Sequence, residues 1–304
     1  MTDDRIIKSR LTLKLLNRYF MNKFTIKAFA ASFLFPLLTA PFLAQASVEG
    51  YWQPIYHEDF EERLPGPEAG DYAGLPINDA MRLRGDTWQS GLLNVPEHQC
   101  KPHPSTYGFR GIGNLHFQEI LDPESQELIA LTTHIEWQAQ RRTIYMDGRE
   151  HPNELYPHTW GGFSTGHFEG DTLVVHTTHL KAGWIRRNGM ALSDEATLDE
   201  YFMLNDDQTL MTHVSIVTDP NYLTEPFIRT NGWSRLHEVN MGPYPCRPAI
   251  EIDREVGEIP HWMIDTEQSH AGSIEFSERW NIPLEAARGG AHTALPEFMD
   301  TVAE

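Results

Sequence analysis

The sequence predicts an all-β protein: an antiparallel up-and-down barrel with an N-terminal arm and short peripheral helices. Three observations predict it. Apolar and polar residues alternate along several runs, as in Ile129, Leu131, Thr133, Ile135 and Trp137, the period-two pattern of a half-buried strand. Turn signals built from Gly, Asp and Pro separate those runs. No strand–helix–strand alternation is visible, so a parallel sheet is not expected, and a closed meander is the economical way to remove sheet edges.

Residues 1–46 read as a leader. Lys23 and Lys27 precede an apolar stretch from Ala28 to Leu43, and Ala44-Gln45-Ala46 supplies small residues where a signal peptidase cuts. The stretch is short for a membrane span, and Pro36 and Pro41 interrupt it. The charged residues 1–20 do not suit a compact signal, which points to a true start at Met21. The expected product begins at Ser47, is periplasmic or secreted, and keeps no stable membrane insertion.

Residues 47–87 read as an extended arm, rich in Pro and Gly, followed by a short helix capped by Asn78 or Asp79. The barrel domain is expected over 88–282. Asn114–Leu121 and Glu127–Trp137 flank the turn Asp122-Pro123-Glu124-Ser125, in which proline sets the second position. Arg142–Met146 runs into Asp147-Gly148. Hairpins are expected over Gly162–Leu180, bending at Glu169-Gly170-Asp171, and over Ala196–Thr218, bending at Asp206-Asp207. Glu225–Arg235 adds a strand, and 283–304 reads as a loosely held tail.

The chain of 304 residues carries 24 basic and 43 acidic residues. Seven of the basic and two of the acidic residues lie in 1–46, so the remainder has a net charge of −24. Such a surface repels phosphate backbones and anionic lipid, which argues against a nucleic-acid partner. Cys100 and Cys246 are the two cysteines. Outside the cytoplasm a lone pair points to one disulfide; two buried free thiols are the alternative.

The segments RRTIYMDGREHP, HTWGGFSTGHFEGDTLVVHTTHLKAGWIRRNG, SDEATLDEYF and DPNYLTEPFIRT together resemble a family of secreted bacterial proteins, over roughly Trp88 to Pro248. The resemblance implies export and carries no catalytic residues across. The strand arrangement is also similar to lipocalin-like barrels, which implies an interior that holds a small apolar molecule.

Three constellations could carry chemistry. His176 and His179 are three apart, so on a strand they face opposite ways and cannot chelate one ion. Hairpin register instead places His167 on a face with His176, if Gly170-Asp171 is the loop, or with His179, if the loop is longer by one. Glu200 is expected directly across from His213, with Phe202 facing Met211, a carboxylate–imidazole pair suited to acid–base work. Tyr145, His158 and Trp160 surround the 147–149 turn, and Trp184, Arg186 and Arg187 form a cationic, aromatic patch able to meet a carboxylate. The bland alternatives are a polar outer face for the histidines and a surface ion pair for Glu200. No serine-nucleophile elbow, phosphate loop, dinucleotide fingerprint or zinc motif is found, and neither metal nor cofactor is expected.

The reading is thus an exported barrel that binds a small, largely apolar or aromatic molecule in its interior. The alternatives are a metal-free lyase, isomerase or hydratase using Glu200, His213 and the histidines 167, 176 and 179, or an envelope protein that binds a partner.

Overall fold

The computed structural model describes residues 47–56, 66–110, 113–137, 140–250, 253–255, 257–263 and 272–302. The expected leader lies outside them. Eleven strands are present among these residues: β1 (Gly50–Ile55), β2 (Leu115–Leu121), β3 (Leu128–Ile135), β4 (Gln140–Tyr145), β5 (Phe163–Glu169), β6 (Thr172–Thr178), β7 (Gly183–Trp184), β8 (Ala191–Leu192), β9 (Thr197–Leu204), β10 (Leu210–Thr218) and β11 (Phe227–Leu236). Nine close into a barrel in the order β1-β11-β10-β9-β6-β5-β4-β3-β2, while β7 and β8 pair apart from it.

Strand number dictates a defect in this barrel. Strands that alternate in direction can close only in even number. With nine, one neighbouring pair must run parallel, and it is β4 with β5. That pair shares only two register positions, Ile144 with Ser164 and Tyr145 with Thr165. The other eight pairs are antiparallel. A parallel pair needs a long return connection, and residues 146–162 provide it.

The arm corrects one expectation. Gly50–Ile55 does not lie on the barrel; as β1 it completes it, pairing with β11 and β2. Its Trp52 points inward, fully buried, and donates its indole N–H to Val48 O at 2.8 Å. The barrel interior is filled rather than hollow: Trp52, Phe117, Ile144, Leu173, Phe202 and Trp233 have no exposed surface. A second cluster plugs the end where β9 begins. There Tyr72, Leu75 and Ile77 of the arm, Met81, and Ile185 and Met190 near β7 and β8 pack against Leu198, Val217 and Phe227. Met81 belongs to α1 (Asp79–Asp86), whose N-cap Asn78 accepts from Met81 N as expected.

The segment after 283 is also docked rather than loose. It forms α2 (Leu284–Arg288), a 3₁₀ turn over Ala291–Ala294, and α3 (Pro296–Val302). Tyr72 N donates to Ala287 O at 3.0 Å, Gly290 N to Leu75 O at 2.7 Å and Gly74 N to Thr293 Oγ1 at 2.9 Å. Two backbone bonds and one to the Thr293 hydroxyl hold it against residues 72–75, a tertiary feature that composition does not reveal.

Cys100 and Cys246 form the disulfide, with Cα atoms 5.6 Å apart. Among the described residues no helix is long and apolar enough to cross a membrane.

Candidate functional site

The β9–β10 hairpin brings Glu200 and His213 together, in a register that corrects the sequence expectation. Phe202 pairs with His213 and Glu200 with Ser215, two positions from the expected match, while Met211 pairs with Leu204. The cause is the loop. Asp206-Asp207 is not a tight two-residue turn; the chain bends over 205–209, where Gln208 takes a positive φ and the Asn205 side chain accepts from Leu210 N at 2.8 Å. A shift of two keeps every side chain on its face. Glu200 and His213 therefore both point inward, fully buried, with His213 Nε2 3.1 Å from Glu200 Oε1.

A polar network surrounds the pair. Arg142 of β4 donates to Glu200 through Nη2, and through Nε to Ser164 Oγ at 3.0 Å. Ser164 Oγ lies 2.9 Å from Thr177 Oγ1. On the other side Asn231, directly across β10–β11 from His213, has its amide nitrogen 3.3 Å from His213 Nδ1, and Arg110 donates to Asn231 Oδ1 at 2.9 Å. Burial works to raise the Glu200 pKa, but Arg142 and His213 outweigh it and hold the carboxyl below its ordinary range. Burial lowers the His213 pKa, with Glu200 opposing. The pair is thus a carboxylate and a neutral imidazole. Donation from Nε2 to Glu200 and acceptance at Nδ1 from Asn231 fix the tautomer. Phe202 stacks on the His213 ring at 4.5 Å and 14°, and Phe109 lies at 4.8 Å.

The parallel seam opens a cavity beside this network. Because β4 meets β5 only at its last two residues, the edge of β4 from Gln140 to Thr143 has no strand partner on that side among the described residues. A cavity of about 440 Å3 fills the gap. Outward-facing Tyr145 and Phe163, with Tyr156 and Trp160 of the return connection, form its aromatic walls. Inward-facing Thr133, Ile135 and Arg142, with Phe109, form its deep part. A second cavity, about 700 Å3, lies at the barrel end by β7 and β8. Trp160 and Trp184 line it with Arg84, Lys101, Arg187, His103 and both disulfide cysteines. Burial, then Arg187, lowers the His103 pKa to about 4.

The remaining expected residues are distributed by strand parity. The Glu169–Thr172 pairing makes Gly170-Asp171 the loop, so His167 and His176 share a face, and it is the outer one. His167 Nε2 meets Glu169 at 3.0 Å and His176 Nδ1 meets Asp199 at 2.6 Å, both exposed pairs. His179 follows β6 with a positive φ, and its Nε2 lies 2.9 Å from Asn153 O. These three histidines do not converge with Glu200 and His213, since the barrel wall separates them. Of the ligand candidates, Tyr145 lines the seam cavity, Trp160 both cavities and Trp184 the end cavity. His158 instead bonds Leu180 O at 2.9 Å on the outer wall. Arg186 lies in the β7–β8 turn, its N–H directed to Met190 O at 3.4 Å, and its neighbour Arg187 lines the end cavity.

Arg142, Arg110, Asn231, Phe109 and Gln140 escaped the sequence reading. One signal for Arg142 was present: it shares strand parity with Ile144, an arginine where alternation calls for an inward residue. Comparison of the chain with protein-family models, curated proteins and solved structures gives no match.

Proposed function

We propose that this protein is an exported carrier or receptor for a small, largely apolar or aromatic molecule, held in the seam between β4 and β5. The observation that carries the reading is the cavity itself: aromatic side chains at its rim lead to a buried arginine within the barrel wall. Its volume falls in the range of small-molecule sites, and a few polar groups amid apolar walls is the usual composition of such sites. The filled barrel axis moves the expected site from the interior to this side opening. Export is supported by the leader pattern, by the motif resemblance to secreted proteins and by the disulfide. The catalytic alternative draws less support, because Glu200 and His213 are fully buried and in the wall of neither cavity. Their network instead holds Arg142.

An environment-sensitive neutral dye, N-phenyl-1-naphthylamine, tests the site. Its fluorescence should rise on binding, and Tyr145→Ala should weaken binding by about tenfold through lost aromatic contact. Trp184→Ala, confined to the end cavity, should leave it unchanged. Absence of binding, or sensitivity to Trp184 alone, would refute the seam as the site.

A further inference from the structure

Two residues in the wall of the seam cavity each carry a buried polar atom that has no hydrogen-bond partner among the described residues. Arg142 is nearly enclosed, its side chain 4% exposed, and it commits Nη2 to Glu200 and Nε to Ser164. Its Nη1 is buried and has no hydrogen-bond partner among the described residues. Gln140, two positions along the same strand and on the same face, donates Nε2 to His103 O. Its Oε1 is likewise buried without a partner among the described residues. A buried polar group left unmatched costs more than a hydrogen bond returns, so each of these two atoms gains from a partner.

The two atoms have opposite chemistry. Nη1 is only a donor, whereas Oε1 is an acceptor. Glu200 already neutralises the Arg142 charge, so the complement to Nη1 is an oxygen acceptor and need not be an anion. Gln140 then calls for a donor.

We propose that the ligand of the seam is an apolar or aromatic molecule bearing both a carbonyl-type oxygen, which accepts from Arg142, and a hydroxyl or N–H group, which donates to Gln140. This rests on the seam being the binding site, and adds the polar pattern that the site reads. The aromatic rim provides contact area, while Arg142 and Gln140 fix orientation. Asn231, His213 and Glu200 act as positioning residues, since their chain of bonds fixes the guanidinium that the ligand meets.

Four naphthalene probes test the pattern by isothermal titration with the intact folded protein. They are 2-ethylnaphthalene, 2-acetylnaphthalene, 6-hydroxy-2-acetylnaphthalene and 6-hydroxy-2-naphthoate. The ketone should bind about tenfold tighter than the hydrocarbon, and the hydroxyketone tighter again. Gln140→Leu should remove the gain from the hydroxyl and keep the gain from the ketone. The double substitution Arg142→Met with Glu200→Gln removes both charges together, so the core is not left with one unpaired ion, and it should erase the ketone's advantage. The naphthoate distinguishes the acceptor's source: binding no weaker than the hydroxyketone identifies a carboxylate as an acceptable form, and much weaker binding identifies a neutral carbonyl. If all four bind equally in a Tyr145-dependent way, the seam is a site and the polar pattern is wrong. If none binds, the carrier reading itself fails.

Discussion

His213 and His103 share a physical situation that sets the acid response of the molecule. Both are buried, and burial pushes each pKa below the ordinary value of 6.5, His103 to about 4. As pH falls below 6.5, the unfolded chain takes up protons at these residues and the folded chain does not, so stability falls. For His103 the window runs from 6.5 down to about 4, and the full loss is about 3 kcal/mol. Glu200 acts in the same direction at lower pH. Its lowered pKa protects the carboxylate, and the stability it gives is present above the unfolded value of 4.5 and lost as pH drops through the folded one. Denaturant titrations from pH 7 to 5 should therefore show falling stability. His213→Asn should flatten that slope by up to ~1.4 kcal/mol per pH unit, whatever it does to the stability at pH 7. An unchanged slope would mean that His213 is not held neutral.

Among the elements, the C-terminal segment shows how local sequence misleads. Read alone, 283–304 is short, broken by Pro and Gly, and lacks a long apolar face. In the structure Ala286 and Ala287 of α2 are buried, and Gly289 passes so close to the arm that an added Cβ would sit 2.1 Å from Tyr72 O. Gly289 also has φ +67°, a region that side chains disfavour. Gly289→Ala combines both penalties and should destabilise by more than about 1 kcal/mol. Limited proteolysis should then cut within 283–302 first, ahead of the barrel. Equal protection of the variant and the original segment would show that the docking is not tight. The β9–β10 hairpin is the complementary case: its loop is longer than Asp206-Asp207 alone, yet parity keeps Glu200 and His213 on one face.

At the scale of the whole molecule the Cys100–Cys246 bond spans 146 positions and joins the connection between β1 and β2 to the segment after β11. Closing so long a loop restricts the unfolded chain, a stabilisation of about 4–5 kcal/mol on the chain-entropy account. Both cysteines, with Tyr244, line the end cavity, so the bond also holds one wall of that cavity in place. Protein collected outside the cytoplasm should begin at Ser47 and show no alkylatable thiol until reduced. Reduction should lower the melting temperature and expose 238–250 to protease. A retained leader or freely labelled thiols would overturn the export reading and the role of the bond respectively.

The sequence by itself determined the β class, the barrel, most of the strand positions, the cysteine pairing expected outside the cytoplasm, and the common face of Glu200 and His213. These follow from alternation, turn chemistry and composition, all of which act over a few residues or over the chain as a sum. Only the tertiary structure decided that β1 closes the barrel, that an odd strand count forces β4 and β5 parallel, and that the resulting seam opens beside Arg142. It also decided that His167, His176 and His179 stay outside. The physical reason is that strand count and closure are properties of the whole circuit. No local pattern records which pair must carry the mismatch, so the site created by that mismatch cannot be read one segment at a time.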